Sequence, residues 1–272
     1  MICGNSRISL SRTVVMGILN VTPDSFSDGG RFRDLDASLR HAESMQAAGA
    51  EIIDVGGEST RPGSESVTIA QELDRVVPVI EALNRDLDVV ISIDTSKPAV
   101  MRAAIDAGAG MINDVNALRS EGAIPIAAAA GVPVCLMHML GEPRTMQNSP
   151  VYGDVVEEVR DYLESRAAAC IAGGVDKRQI VIDPGFGFGK HVGHNLELLR
   201  RLKELGTEYP VMAGLSRKSM IGKLLGLPMD RRVHASVALA MIALANGARL
   251  LRVHDVGPTV DAVRMYEAVY FD

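Results

Sequence analysis

The sequence has no tryptophan and only three cysteines, which is too few for a disulfide-rich protein. Cys3, Cys135 and Cys170 are odd in number and lack C-x-x-C spacing, so they do not predict a disulfide framework. Two of them lie among apolar residues, where a cysteine is ordinarily a buried thiol. We therefore expect free thiols and a reducing compartment.

An excess of positive charge and long apolar runs are also absent. The chain has 28 basic and 34 acidic residues, a net charge of −6, and both signs are scattered along it. Because polyanion binding depends on a basic face, a nucleic-acid partner is not expected. No run approaches the roughly 18 apolar residues of a membrane span, and residues 1–11 lack the apolar segment of a signal peptide. These features predict a cytoplasmic protein without membrane contact.

The glycine-rich stretch at residues 180–190 looks like a phosphate-binding loop but departs from its pattern. The pattern G-x-x-x-x-G-K-[ST] needs a glycine where Pro184 stands and a hydroxyl residue where His191 stands. The stretch instead holds Asp183 at the end of an apolar run, followed by glycines that let a flat molecule approach the backbone. We expect Lys190 to be a solvated loop side chain.

Short apolar runs alternate with helix-like segments along the chain. The runs do not alternate with polar residues, as expected for strands buried on both faces of a parallel sheet. They occupy residues 14–20, 52–55, 89–93, 111–114, 134–137, 180–182, 211–213 and 250–253. Eight strand-helix units, beginning on a strand and ending on a helix, predict an α/β fold of the (β/α)8 TIM barrel type.

A doubly wound open sheet would show the same alternation. That fold more often carries a glycine fingerprint after its first strand, and residues 20–24 contain no such motif. We therefore predict one barrel domain over residues 1–272, with residues 1–12 forming a short hairpin that closes the barrel bottom.

Polar side chains follow the predicted strands, where the active sites of such barrels lie. They are Asn20, residues 58–61, Asp94, Asn113, His138, Asp183, residues 216–218, Arg252 and His254. Taken singly, Asp94 and Asn113 could be helix N-caps and His138 a satisfied core histidine. Taken together, polar residues at so many strand ends predict the mouth of a ligand site.

The residue types indicate which ligand this mouth would take. Asp94 and Asp183 only accept hydrogen bonds, whereas Asn113 also donates, a set that suits a heterocycle with adjacent N–H groups. Arg252 and His254 project to the same side of one strand and could meet an anion, with Arg61 and Lys218 adding positive charge. His191 and His194 lack a third ligand, so we expect solvated or capping side chains there and no metal.

With these residues in view, the chain resembles the dihydropteroate synthase family of the folate pathway from about residue 14 to 264. The motifs that carry the resemblance are MGILNVTPDSFSDGG (16–30), DVGGESTRPG (54–63), SIDT (92–95), IND (112–114), the Asp183 stretch, GLSRKS (214–219) and RVHDV (252–256). The first two are highly specific.

The resemblance implies condensation of 4-aminobenzoate with (7,8-dihydropterin-6-yl)methyl diphosphate to give 7,8-dihydropteroate and diphosphate. It also implies early C–O cleavage to a pterin-methyl cation that the arylamine traps. A protein nucleophile is then unnecessary, which fits the absence of a Ser-His-Asp or Cys-His arrangement. A homodimer and a bound Mg²⁺ are further expectations, in a family that sulfonamides target.

Residue roles are implied as well. The pterin diphosphate would be bound by Thr60, Asp94, Asn113, Met137, Asp183, Phe188, Gly214, Lys218, Arg252 and His254. The 4-aminobenzoate would be bound by Phe26, Arg61, Pro62, Lys218 and Ser219. Catalysis would fall to Asn20, Lys218, Arg252 and His254, with Asn20 helping to hold Mg²⁺. The loops around Phe26 and Thr60 would close over the site.

One departure and two alternatives qualify the resemblance. The chain has His234-Ala235-Ser236 where the family usually has a glycine before the hydroxyl residue, a difference expected to affect only local packing away from the pterin. The alternatives are a methyltetrahydrofolate-binding methyltransferase barrel and a catalytically silent pterin-binding paralogue. The motifs at 59–63 and 216–218 argue against the first, and intact Asn20, Arg252 and His254 against the second.

Overall fold

The computed structural model describes residues 1–4, 6–22, 31–59, 66–141, 146 and 150–270, with the backbone alone described for residues 31–34. The expectations for Phe26, Thr60, Arg61 and Pro62 lie outside these residues.

The strands of the described chain form a hairpin and a closed barrel. The hairpin pairs β1 (Ile2–Cys3) with β2 (Ser6–Arg7) in antiparallel fashion. The barrel strands are β3 (Val14–Asn20), β4 (Ile52–Gly56), β5 (Val90–Asp94), β6 (Met111–Asp114), β7 (Val134–Met137), β8 (Ile180–Asp183), β9 (Val211–Ala213) and β10 (Ala248–Val253). They are parallel, follow one another in chain order, and close between β10 and β3. The TIM barrel is confirmed, and the open-sheet alternative is wrong.

The helices of the described chain follow the barrel strands. They are α1 (Arg31–Ala47), α2 (Ile69–Asp86), α3 (Pro98–Asp106), α4 (Ala123–Ala130), α5 (Val155–Ala172), α6 (Val192–Arg200), α7 (Ser219–Leu225), α8 (Val233–Ala245) and α9 (Val256–Tyr270). Local sequence sets several of their ends. Thr68 and Gln71 form a capping box at the start of α2, and Gly131 ends α4 with a left-handed backbone (φ 63°).

Two apolar layers hold the barrel together. The larger one packs the outward side chains of the strands against the helices. The smaller one fills the inside of the barrel at the amino ends of the strands, with Val14, Ile52, Val90 and Met111 among its members. Cys3 and Ile8 join this inner layer, so the hairpin segment packs against the bottom of the barrel.

Two further observations bear on the sequence-based expectations. All three cysteines are free and buried, as predicted, and burial raises the pKa of Cys3 and Cys170 to about 11. Within the described ranges, no helix is long and apolar enough to cross a membrane.

Candidate active site

On several barrel strands, a polar residue or a glycine lies two positions after a member of the apolar inner layer. Successive side chains of a strand point to opposite faces, so a residue two positions after an inward apolar residue also points inward. Ile52 is thus followed by Asp54, Val90 by Ser92 and Met111 by Asn113. The same step leads from Val181 to Asp183, from Met212 to Gly214 and from Leu250 to Arg252. The barrel interior therefore has an apolar layer at its bottom, and the next layer, at the mouth, is polar.

Arg252 is the centre of this mouth. Its Nε donates to Asp54 Oδ2 and its Nη2 to Asp94 Oδ2, both at 2.6 Å. Asn113 Nδ2 donates to the same Asp54 oxygen at 3.0 Å. The guanidinium therefore ties β10 to β4 and β5, and Asp54 extends the connection to Asn113 on β6.

Asp54 is the residue of this cluster that sequence reasoning missed. Its side chain is completely buried, and its Oδ1 has no hydrogen-bond partner in the described protein. It was taken as part of an apolar strand and was not considered for the site. The available signal was its register, because a carboxylate two positions after buried Ile52 has to face the barrel interior.

The charged side chains at the mouth are largely shielded from water. Burial raises the pKa of Asp94 to about 7, an effect that the Asp54 carboxylate strengthens and Arg252 opposes. Burial also lowers the pKa of Lys218 to about 8, although Asp183 acts in the other direction. The pKa of Arg252 is raised because its two carboxylate partners outweigh its desolvation. Arg252 is therefore the fixed positive charge of the site.

Asp183 ends β8 on the opposite side of the barrel from Asp54. Its Oδ1 accepts a hydrogen bond of 2.7 Å from the backbone N–H of Gly185. Burial raises the pKa of Asp183, and this hydrogen bond opposes the shift. A side chain at Gly214 would come within 3.8 Å of Asp183 Oδ2, so the missing Cβ keeps the space beside that oxygen open.

Lys218 and Phe188 form one wall of the mouth. Lys218 Nζ lies 4.2 Å from the centroid of the Phe188 ring, within the range of a cation–π contact. Phe188 also packs against a small apolar cluster that includes Met137. A flat ligand between these side chains and Asp183 would meet apolar surface on one side and hydrogen-bonding atoms at its edge.

His254 lies on the loop after β10 and is tied to the loop after β9. Ser216 Oγ lies 3.1 Å from His254 Nδ1 and accepts from the His254 backbone N–H at 3.2 Å. Arg217 joins the same two loops, since its guanidinium donates two hydrogen bonds to the Asp255 carboxylate. Lys218 and His254 are consequently placed by one connected group of residues.

Ser236, on α8, contacts the turn that carries Lys218. Ser236 Oγ accepts a 2.9 Å hydrogen bond from the backbone N–H of Arg217, whose φ of 56° is unusual for a side chain of this size. Since Lys218 is the next residue, Ser236 supports the turn that carries it. The expectation that the departure at His234 and Ala235 affects only local packing stays a prediction.

Other sequence-based expectations have a clear outcome. Asp94 and Asn113 are not N-caps, because the helices after them begin several residues later, at Pro98 and Ala123. His191 and His194 cap the start of α6, one of the two outcomes expected for them. The prediction for Lys190 was wrong: its side chain is buried, and its Nζ lies 2.9 Å from His138 Nδ1. His138 is accordingly a satisfied core histidine.

Asn20 was expected to help hold Mg²⁺. A Cβ on Gly56 would lie 3.9 Å from Asn20 Oδ1 and 3.7 Å from Asp94 Oδ2, so both oxygens border the same space. The described residues contain no group of three or more His, Cys, Asp or Glu side chains arranged to hold a metal. Mg²⁺ prefers oxygen ligands and is often held by one or two protein groups together with substrate phosphates. These residues fit a metal shared with a bound phosphate.

Comparisons with known proteins agree with this geometry. The family described as "Pterin binding enzyme" matches residues 16–254. The dihydropteroate synthase of Escherichia coli K12 is 52% identical over 262 residues, which cover 96% of this chain and 93% of the relative. That of Haemophilus influenzae is 49% identical over 265 residues, covering 97% and 96%.

Two solved structures show the same similarity in three dimensions. Yersinia pestis dihydropteroate synthase in a sulfonamide drug complex superposes with a TM-score of 0.94 at 51% identity, covering 99% of each chain. The Xanthomonas albilineans enzyme in complex with 7,8-dihydropteroate superposes with a TM-score of 0.91 at 47% identity, covering 99% of this chain and 98% of the other.

Proposed function

Because the chain belongs to the dihydropteroate synthase family of pterin-binding enzymes, we propose that its barrel mouth joins 4-aminobenzoate to (7,8-dihydropterin-6-yl)methyl diphosphate. The products are 7,8-dihydropteroate and diphosphate. The observation that carries the proposal is the convergence of Asp183, Asn113, Lys218 and Arg252 on one mouth, where buried acceptors lie beside a fixed positive charge.

The acceptors at the mouth would recognise the edge of the pterin ring. Asp183 Oδ2 faces the space beside Gly214, and Asn113 offers an amide oxygen once its Nδ2 is bound to Asp54. Lys218 would approach the carbonyl side of the ring, with Met137 and Phe188 against its face. A ring without matching N–H groups would leave these buried atoms unsatisfied, at about 1–3 kcal/mol for each. Pairing at the edge thus selects the pterin.

The diphosphate would lie across the mouth at Arg252, His254 and Asn20. Arg252 donates to Asp54 and Asp94 through Nε and Nη2. Its Nη1 makes no hydrogen bond within the described part of the chain. That group is the natural donor to the departing oxygens, whose negative charge grows as the C–O bond breaks. Donors fixed in place before the reaction stabilise such charge without having to reorganise. The pterin-methyl cation left behind is then trapped by the arylamine.

The second substrate would bind next to Lys218 and Ser219. Ser219 is the exposed first residue of α7, directly after Lys218. The resemblance also assigns Phe26, Arg61 and Pro62 to 4-aminobenzoate, and these lie outside the described residues. We propose that the loops carrying them exclude water from the cation, which water would otherwise consume.

Asn20, with Asp94 beside it, would hold Mg²⁺ against the substrate diphosphate. The metal would neutralise part of the diphosphate charge and so improve it as a leaving group. We expect diphosphate release from the two purified substrates to cease in excess chelator and to return when Mg²⁺ is added in excess. A coupled diphosphate assay measures this, and undiminished release in excess chelator would remove the metal from the proposal.

We also propose that the protein is a cytoplasmic homodimer. Ile242 on α8 and Met265, Val269 and Tyr270 on α9 are large apolar side chains that are 46–69% exposed. Helices α8 and α9 are neighbours in the chain and pack on each other, so these residues lie on adjacent surfaces. A second copy covering this face would remove them from water, as apolar surfaces of this kind commonly require. The three free thiols fit a reducing cytoplasm.

A further inference from the structure

Lys190, at the end of the glycine-rich loop, is a buried cation, and hydrogen-bond acceptors surround its ammonium group. Only 3% of the residue is exposed. Its Nζ lies 2.9 Å from His138 Nδ1 and donates to the carbonyl oxygens of Gly185 and Phe188, each at 3.0 Å. The carbonyl oxygen of His138 lies 3.4 Å from Nζ as a fourth, longer contact. An ammonium group has three N–H donors, and these acceptors are enough to use all of them. No carboxylate lies within ion-pair distance of Nζ in the described ranges, so neutral acceptors hold the charge.

His138 takes part as an acceptor, which fixes its protonation state. Burial lowers the pKa of Lys190 to about 7, so its amine is charged below neutral pH. In that state Nδ1 can accept from the ammonium only with a free lone pair, so the ring is neutral and carries its proton on Nε2. Burial and the neighbouring Lys190 charge lower the pKa of His138 to about 3, in agreement with this state. The ring also packs edge-to-face on Tyr162, with centroids 4.9 Å apart. His138 is thus a neutral acceptor over the pH range in which Lys190 is charged.

The carbonyls that Lys190 binds belong to residues connected to the substrate mouth. The Gly185 N–H donates to Asp183 Oδ1 and the Gly185 carbonyl accepts from Lys190, so one residue links the ammonium to the Asp183 carboxylate. Phe188 gives its carbonyl to Lys190, and its ring faces Lys218 Nζ. His138 directly follows Met137, which packs beside Phe188. Lys190 therefore contacts the backbone of the segments that carry this wall.

The loop has little room to adopt this shape without Lys190. Gly185 and Gly189 have left-handed backbones, with φ of 67° and 63°. A Cβ at Gly185 would lie 2.0 Å from the carbonyl oxygen of His138, and one at Gly189 would lie 2.6 Å from that of Leu140. The loop therefore lies directly against residues 138–140, and its inward carbonyls need a buried donor. Lys190 is that donor.

We propose that Lys190 is a positioning residue for the pterin site: it binds no substrate, but holds Gly185 and Phe188 so that Asp183 and Lys218 keep the geometry that the pterin requires. The inference rests on the proposed function, because it concerns how the same site is built. It predicts that loss of the Lys190 ammonium weakens pterin binding in a protein that remains folded.

The test compares Lys190→Met with Lys203→Met, which removes an exposed lysine on the segment after α6. Calorimetric titration with pterin diphosphate should show binding to Lys190→Met weakened about 10- to 100-fold, as is common when the partners of binding residues are removed. Lys203→Met should bind like the parent. Equal affinity in Lys190→Met and Lys203→Met would overturn the inference. Failure of the parent protein itself to bind pterin diphosphate would instead overturn the proposed function.

A second pair of variants applies if Lys190→Met does not fold. His138→Asn keeps an acceptor near the position of Nδ1, whereas His138→Leu removes it. Pterin diphosphate affinity should be largely kept in the asparagine variant and reduced in the leucine variant. Equal affinity in the two would contradict a role for the Lys190 contact, because both change the volume of the ring site.

The state of the His138 ring provides a readout that does not depend on activity. Nitrogen NMR of histidine-labelled protein should show a neutral ring with the proton on Nε2 from pH 5 to 6, where Lys190 is charged and the His138 pKa lies well below the pH. A parent His138 that titrates near pH 6.5 would show that Nδ1 does not accept from Lys190, and would overturn the inference.

Discussion

Replacing Arg252 by alanine is expected to lower kcat by about 10²- to 10³-fold, the usual effect of removing a donor that stabilises developing negative charge. Affinity for pterin diphosphate should fall less, because Asp183 and Asn113, which bind the edge of the ring, remain in place. The physical reason is that Arg252 holds the fixed positive charge beside the departing diphosphate, through an Nη1 group not used by Asp54 or Asp94. Steady-state kinetics with titrated pterin diphosphate measures both quantities.

The alanine variant also leaves Asp54 and Asp94 without their partner, and breaking a buried pair in this way costs about 3–5 kcal/mol. Arg252→Lys provides the second measurement, since it keeps a positive charge but cannot form the fork to both carboxylates. Its kcat should lie between those of the alanine variant and the parent. Arg178→Ala removes an exposed arginine and serves as control. A loss confined to affinity, with kcat unchanged in Arg252→Lys, would contradict the assigned role.

Asp183→Asn should weaken pterin diphosphate binding by about 100-fold or more. The variant keeps the shape of the side chain but replaces a charged acceptor with an amide, whose NH₂ would face the N–H donors of the ring. Loss of a hydrogen bond to a charged group, together with donors left unsatisfied, amounts to about 3 kcal/mol or more, and 1.4 kcal/mol corresponds to tenfold in affinity. Calorimetric titration measures this loss directly.

Asp176→Asn is the matched control, because Asp176 is a solvent-facing carboxylate that pairs with Arg178 at the start of a short 3₁₀ turn. Its pterin affinity should equal that of the parent. An Asp183→Asn protein that melts normally and binds pterin diphosphate as tightly as this control would remove Asp183 from the pterin site.

The fold could be predicted from the sequence because one pattern, a short apolar run followed by a helix-like segment, recurs along the chain. The barrel strands are mostly apolar because both of their faces are largely buried, and short apolar runs mark them in the sequence. The runs at 14–20, 111–114, 134–137 and 211–213 coincide with β3, β6, β7 and β9. The remaining strand bounds differ by a few residues, where a polar residue such as Asp94 or Asp183 belongs to the strand end.

The site was predictable to the extent that strand position decides it. Asp94, Asn113, Asp183 and Arg252 were found because they occur at or near strand ends. Asp54 occurs inside a strand and was missed, although its register with Ile52 places it in the same layer. Strand register is therefore a stronger indicator of site residues in this barrel than the end of the apolar run.

Lys190 could not be placed from the sequence, because its environment comes from a distant segment. Its neighbours in the chain are glycines and a histidine, which are typical of an exposed loop. Burial arises only when the loop packs against His138, 52 positions earlier, and when glycine backbones turn their carbonyls inward. Ser236 is a similar case, since its contact with Arg217 joins two loops that follow different strands.

The condensation itself is tested most directly by incubating the protein with radiolabelled 4-aminobenzoate, pterin diphosphate and Mg²⁺, and separating the products. The convergence of Asp183, Asn113, Lys218 and Arg252 at one mouth predicts labelled 7,8-dihydropteroate in amounts equal to the diphosphate released. Omitting pterin diphosphate should abolish the labelled product. A protein that binds pterin diphosphate tightly yet transfers no label to it would contradict the proposed reaction and would indicate a silent pterin-binding barrel.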